Sequence, residues 1–275
     1  MGKGRFSTDN RPIGIFASGL GGLCAVGERR RILPGEDIVY FGDTGRVPYG
    51  TRSRETLFTY AKEDIGVLER FGVKIVLAAC GTVSSTVLDD VTGGAKEPVF
   101  GVVDAAVEAA IATGACRIGL IGTEATVASG AFEKKMRAKK ADLQTMSVAC
   151  PLLVPLVENG FIGEDSEITR LVCEKYLEPM RAFRPQTLIL GCTHFPIMPD
   201  RIAEILPETV LIDPAKEAAG MVKKELTASG LCAAGGRMGE TRYLVSDAPE
   251  KFAKNAWIFL GGDEEIRAEK VQQRE

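Results

Sequence analysis

Gly191-Cys192-Thr193-His194-Phe195-Pro196 closes an apolar run, Thr187-Leu188-Ile189-Leu190, that reads as a short buried strand. Pro196 and Pro199 break the chain before a helical pattern resumes near Arg201. The stretch holds the single histidine of the sequence, two positions from a cysteine. A strand that stops at a thiol, a hydroxyl and an imidazole delivers reactive groups to the edge of a sheet, where open α/β folds bind ligands. A buried, inert thiol is the competing reading of Cys192, and the rest of the chain decides between the two.

Working outward, the same pattern recurs. Val73 to Ala79 is an apolar run that ends at Cys80-Gly81-Thr82, so a second strand stops at a cysteine followed by a threonine. Ile13-Gly14-Ile15-Phe16 and Ile118-Gly119-Leu120-Ile121 each open a series of strand and helix patterns. The first series reaches Cys80 and the second reaches Cys192 after a comparable interval, which points to two similar lobes. Further strands are expected at 37–41, 99–103, 210–212 and 241–246. Helices are expected at 53–71, capped by Ser53, and at 131–140, 167–183, 213–229 and 248–255. The helix after 99–103 is expected to be capped by Asp104, that at 131–140 to show a solvated face, and Trp257 to pack the C-terminal segment. Strands that alternate with helices imply parallel sheets covered on both faces, an α/β fold.

Composition narrows the function. The net charge of −3 gives no electrostatic reason to bind nucleic acid or an anionic membrane. No apolar run approaches the ~20 residues of a membrane-spanning helix. Residues 1–11 are polar and read as a disordered lead without the apolar segment of a signal peptide. Seven cysteines, an odd number without framework spacing, fit a reducing cytoplasm and free thiols. A lone histidine excludes a histidine-rich metal site, and no cofactor is expected. The turn Gly19-Leu20-Gly21-Gly22 lacks the last glycine of a dinucleotide fingerprint, where Cys24 stands, and lacks a phosphate-loop lysine.

If the lobes face each other, Cys80 and Cys192 approach one cleft from opposite sides, each near a helix start that favours anions and lowers thiol pKa values. Backbone N–H groups with Ser18, Thr82 and Thr193 suit a substrate carboxylate. One thiolate can then remove a proton from a carbon while the opposite thiol returns one to the other face, inverting a stereocentre. His194 beside Cys192, and a carboxylate near Cys80, are the helpers this chemistry needs. A cysteine hydrolase using Cys192 and His194 leaves Cys80 unexplained. A zinc site from Cys80, Cys192 and His194 lacks the usual close ligand pair. Cys24, Cys116, Cys150, Cys173 and Cys232 read as plain core or surface thiols.

On these motifs the chain resembles the glutamate racemases of the cofactor-independent amino-acid racemase superfamily. The carriers are Ser18-Gly-Leu-Gly-Gly22, Tyr40-Phe-Gly-Asp-Thr44, Val47-Pro-Tyr-Gly-Thr51, Ala79-Cys80 with Thr82, Ile121-Gly-Thr123 with Ala125-Thr126, Val154-Pro-Leu-Val-Glu158, Gly191 to Pro196 and Ile212-Asp-Pro-Ala215. The resemblance implies that Cys80 and Cys192 are the catalytic acid/bases, tuned by Asp43, Glu158 and His194. It implies a substrate site of Ala17, Ser18, Tyr49, Gly50, Gly81, Thr82, Thr126, Thr193 and His194. It also implies one α/β lobe from 12–104 with 215–275 and a second from 105–214, a small amino-acid substrate, a homodimer, and D-glutamate made for peptidoglycan and cell shape.

Two positions depart from the family pattern. Ala17-Ser18-Gly19 stands where the family has Asp-Ser-Gly, and Cys80-Gly81-Thr82 where it has Cys-Asn-Thr. Losing a carboxylate partner for a substrate ammonium removes a charged hydrogen bond worth about 1.5–3 kcal/mol. Both changes predict a roomier, less charged site on the Cys80 side. They leave open a weakened glutamate racemase, a racemase of another or N-substituted amino acid, and a non-catalytic amino-acid-binding paralogue.

Overall fold

The computed structural model describes residues 8–163, 165–261 and 265–273. Ten strands are formed by the described residues: β1 Ile13–Ala17, β2 Ile38–Gly42, β3 Ile75–Ala78, β4 Val99–Gly101, β5 Arg117–Gly122, β6 Gln144–Ala149, β7 Thr187–Leu190, β8 Val210–Ile212, β9 Thr241–Val245 and β10 Ala268–Lys270. They make two sheets, one ordered β10-β9-β2-β1-β3-β4 and the other β6-β5-β7-β8. Every strand pair in both is parallel. The α/β expectation therefore stands, and β1, β3 and β7 are buried along their length because helices cover both faces of a parallel sheet.

The repeat legible in the sequence becomes a topological identity. β2-β1-β3-β4 and β6-β5-β7-β8 have the same strand order, with β3 and β7 in equivalent places. In each sheet the chain crosses from one side of its first strand to the other, so the carboxyl ends of β1 with β3, and of β5 with β7, flank a switch point. Helix Val102–Ala112 carries the chain towards the second sheet and helix Pro214–Ala228 carries it back, and the two pack together. Asp213 caps the returning helix by accepting from the Ala215 N–H at 2.9 Å.

Local chemistry explains most elements. Helix Arg54–Arg70 buries Leu57, Ala61, Ile65 and Leu68, a three- and four-residue spacing, and Ser53 caps it through the Thr56 N–H. Helix Glu167–Phe183 buries Cys173, Leu177 and Met180 in the same way. The strand expected at 99–103 stops at Gly101: Val102 and Val103 start the crossing helix and are buried by it. Its N-cap is Gly101, and Asp104 sits in the first turn instead. Helix Ala131–Lys139 is not simply a solvated face, since Phe132 and Met136 are buried. Trp257 is 53% exposed, and Phe252 and Phe259 do the packing expected of it.

Of the expected disordered lead, residues 1–7 lie outside the described residues. Asp9 is held by a bond from its N–H to the Cys232 carbonyl and by Lys74 Nζ on its own carbonyl, and Arg11 pairs with Asp9 and Glu97. No helix of the described residues is long and apolar enough to cross a membrane.

Candidate active site

The switch points of the two sheets face each other across a cavity of about 300 Å³. Cys80 follows β3 and Cys192 follows β7 at equivalent ends; both line the cavity and each is 7% exposed. The sequence placed these thiols on opposite walls, and the fold brings both walls to one space. Ser18, Tyr49, Gly50, Gly81, Thr82, Glu158, Thr193 and His194 line the same cavity.

The two thiols sit in different surroundings. His194 Nδ1 lies 3.6 Å from Cys192 Sγ, and His194 Nε2 donates to Glu158 Oε1 at 3.0 Å. Burial pushes the imidazole pKa down, but the hydrogen bonds to Cys192 and Glu158 push it up further, to about 9. These bonds favour the protonated ring, the form that can stabilise a Cys192 thiolate. Phe259 meets it edge-on with centroids 5.3 Å apart, fixing its plane. On the other wall, burial raises the Cys80 thiol above its ordinary value. Backbone N–H groups of Val83, Thr82 and Ser18 face that sulfur and offset part of the rise.

The lobes touch where side chains are missing. A Cβ on Gly81 would lie 2.3 Å from the Gly191 carbonyl oxygen, and one on Gly21 would lie 2.1 Å from Thr193 Oγ1. Both glycines thus let the lobes close on the cavity. The expectation of a roomier site at position 81 is corrected: the backbone of the other lobe occupies the room a side chain would take. Thr82 Oγ1 meets Thr123 Oγ1 across the cleft at 3.0 Å, and Thr123 caps helix Glu124–Ser129 by accepting from Thr126 N–H.

Three of the expected site residues do not line the cavity. Ala17, at the end of β1, is buried with its side chain near Gly22. Thr126 is buried behind Thr123, which bonds its hydroxyl at 3.0 Å. Asp43 is buried behind Tyr49, where Tyr49 Oη donates to it at 2.5 Å and Gln273 Nε2 at 2.6 Å. Sequence reasoning missed Thr123, Glu124, Pro151, Val154 and Pro155 as cavity residues, along with Val47, Pro48 and Thr51. Thr123 carried a legible signal, the cap position after a strand, and Val47, Pro48, Thr51, Val154 and Pro155 stood within the motifs quoted above. Among the described residues, no group of three or more His, Cys, Asp or Glu is placed to hold a metal ion.

Comparison with known proteins agrees with this geometry. The Asp/Glu/Hydantoin racemase family profile matches residues 30–222. The glutamate racemase of Chlorobaculum tepidum is 43% identical over 265 residues, which cover 95% of this chain and 96% of the relative. A crystal structure of the Francisella tularensis glutamate racemase in complex with D-glutamate superposes with a TM-score of 0.90 at 38% identity, covering 97% of this chain and 99% of that one. The Thermus thermophilus glutamate racemase, solved with beta-chloro-D-alanine, gives 0.86 at 41% identity over 96% and 98%. Two thiols at matching strand ends, one cavity between two parallel sheets and relatives matched along nearly their whole length lead to one assignment: the chain belongs to the Asp/Glu/Hydantoin racemase family.

Proposed function

We propose that this enzyme interconverts L- and D-glutamate without a cofactor, using Cys80 and Cys192 as paired acid and base. The observation that carries the reading is the placement of both thiols, at equivalent strand ends, on one cavity between the two sheets. Glutamate enters as the substrate because the most similar relatives named above are glutamate racemases. One thiolate takes the α-proton; the opposite thiol protonates the planar carbanion on its other face. The α-carbon is inverted, and the two sulfurs exchange protonation states. His194, oriented by Glu158, supports the Cys192 thiolate, while the Val83, Thr82 and Ser18 N–H groups support that of Cys80. The thiolate form limits the rate, so these neighbours set it.

In this reading the first lobe is 12–104 with 215–275 and the second is 105–214, a division that fits the two sheets. The protein acts in the cytoplasm as a homodimer, and its D-glutamate enters peptidoglycan. The test is deuterium uptake at the α-carbon of L-glutamate in heavy water, with circular dichroism decaying to zero. No exchange with glutamate, but exchange with a larger or N-substituted amino acid, would move the assignment to another substrate. Ala17 favours that second reading, since it removes a carboxylate from the end of β1.

A further inference from the structure

A hydrogen count behind the cavity wall carries an inference beyond the two thiols. Asp43, at the end of the β2 segment, and Asp64, on helix Arg54–Arg70, are both 0% exposed. The Tyr49 hydroxyl lies between them, 2.5 Å from Asp43 Oδ2 and 2.8 Å from Asp64 Oδ2. A phenol has one hydrogen to donate. Two contacts of this length to carboxyl oxygens are both hydrogen bonds only if one carboxyl carries a proton of its own. Asp43 already accepts from three donors: Tyr49, Arg46 Nε at 2.5 Å and Gln273 Nε2 at 2.6 Å. Asp64 accepts from Arg46 Nη2 at 3.1 Å through its other oxygen, so the proton belongs on its Oδ2, donating to Tyr49.

We propose that Asp64 is a positioning residue of the racemase site, holding a proton that it shares with Asp43 through the Tyr49 hydroxyl and so fixing the 47–51 loop as the first lobe's wall of the cavity. The proposal rests on the racemase reading for its kinetic consequence only. Val47, Pro48, Tyr49, Gly50 and Thr51 all face the cavity, and Tyr49 is the one whose side chain reaches back into the buried network. The charged and titratable groups around Asp64 are Tyr40 from β2, Asp43 just after it, Arg46 and Tyr49 from the loop, and Glu63 on its own helix. Arg46 also pairs with Glu63 at 2.5 Å and stacks over the Tyr60 ring at 3.9 Å, so one cation serves three carboxyl groups. Among the described residues, Arg46 is the cation paired with both Asp43 and Asp64. Burial and Asp43 accordingly raise the Asp64 pKa well above 3.8.

The test compares wild type, Asp64→Asn and Asp64→Leu by thermal unfolding between pH 5 and 9 and by steady-state racemisation of L-glutamate. Asparagine reproduces a protonated aspartate: its amide donates to Tyr49 and its carbonyl accepts from Arg46. Because the folded pKa is raised, the stability of wild type relative to an always-neutral variant is lost as pH climbs towards that value. Asp64→Asn is therefore expected to unfold at or above the wild-type temperature, by a margin that grows with pH, and to keep KM within about twofold. Asp64→Leu is expected to raise KM about tenfold with kcat little changed, as the loop loses its anchor. The proposal is overturned if Asp64→Asn is as impaired as Asp64→Leu, which would mean that a charge is needed, or if Asp64→Leu keeps the wild-type KM. Should wild type fail to racemise glutamate, the functional reading falls while the unfolding series still decides the shared proton.

Discussion

The two walls of the cleft are alike in topology and unlike in chemistry. Cys80 and Cys192 each follow the third strand of the four-strand order that the two sheets share, at equal exposure. Around Cys192 stands a side-chain relay, His194 to Glu158, which places an imidazole against the sulfur. Around Cys80 the support is backbone N–H groups, and the carboxylate expected nearby, Asp43, is turned away behind Tyr49. A side-chain relay can be removed by one substitution and has a pKa of its own; backbone donors have neither property. The shared strand order therefore fixes where the thiols stand, and the local neighbours fix how each is held.

Replacing either thiol tests whether both walls are needed. Cys80→Ser and Cys192→Ser should each cut racemisation by about 10³-fold or more, since a serine is a far weaker acid than a thiol in this role. Deuterium uptake measured from L- and from D-glutamate separates the walls, because each thiol serves one face. Full activity in either variant would remove the two-thiol mechanism.

The relay is the next place to break the comparison. His194→Asn should lower kcat by about 10²-fold, with a larger effect in the direction that needs the Cys192 thiolate. The Cys80 wall should be less affected, so the two directions report the asymmetry. Steric closure comes third. Gly81→Ala places a methyl against the Gly191 carbonyl, a backbone atom that yields only if the lobes part, and should cost about 1–3 kcal/mol of stability. Thermal unfolding and the KM for glutamate read that change; wild-type values for both would show that the seam is loose.

Glu158→Gln removes the charge behind the imidazole. Glu158 keeps 31% of its side chain exposed, so solvent screens it and the expected loss in kcat is about tenfold or less. The smallest effect is on pH-dependent stability. His194 has a folded pKa of about 9 against 6.5 for a free imidazole. Its contribution is fully present below pH 6.5 and is lost as pH rises through about 9. Melting temperatures across that window should fall by a few degrees in wild type and less in His194→Asn; equal slopes would show that the imidazole is not held as a cation.

Legibility in the sequence followed burial. Val73 to Ala79 and Thr187 to Leu190 read as strands because a parallel strand buried on both faces is a continuous apolar run. β6, Gln144–Ala149, and β10, Ala268–Lys270, were missed because they lie at sheet edges and carry polar, partly exposed side chains. Helix Leu23–Ile32 was missed because Gly27 and the run Arg29-Arg30-Arg31 blur its apolar face, although Arg29 is itself buried. At the site, Cys192 and His194 were legible because their chemistry is carried by the residue types themselves, whereas Glu158 was reached only through the family resemblance. Asp64 was not, since an aspartate on an amphipathic helix reads as solvated until the fold shows Tyr49 and Asp43 beside it.

By itself the sequence determined the alternation of strands and helices, the repeat that places a thiol at the end of β3 and of β7, and the family to which the motifs point. These are properties of nearest neighbours along the chain, set by period, propensity and residue chemistry. Only the tertiary structure decided that Asp43 and Thr126 stand behind the wall instead of on it, that Gly81 is pressed against the other lobe, and that one phenol hydrogen lies between two buried carboxyls. Those facts depend on pairs distant in sequence, such as Gly81 with Gly191 and Asp43 with Gln273, whose meeting is fixed by how the two sheets pack.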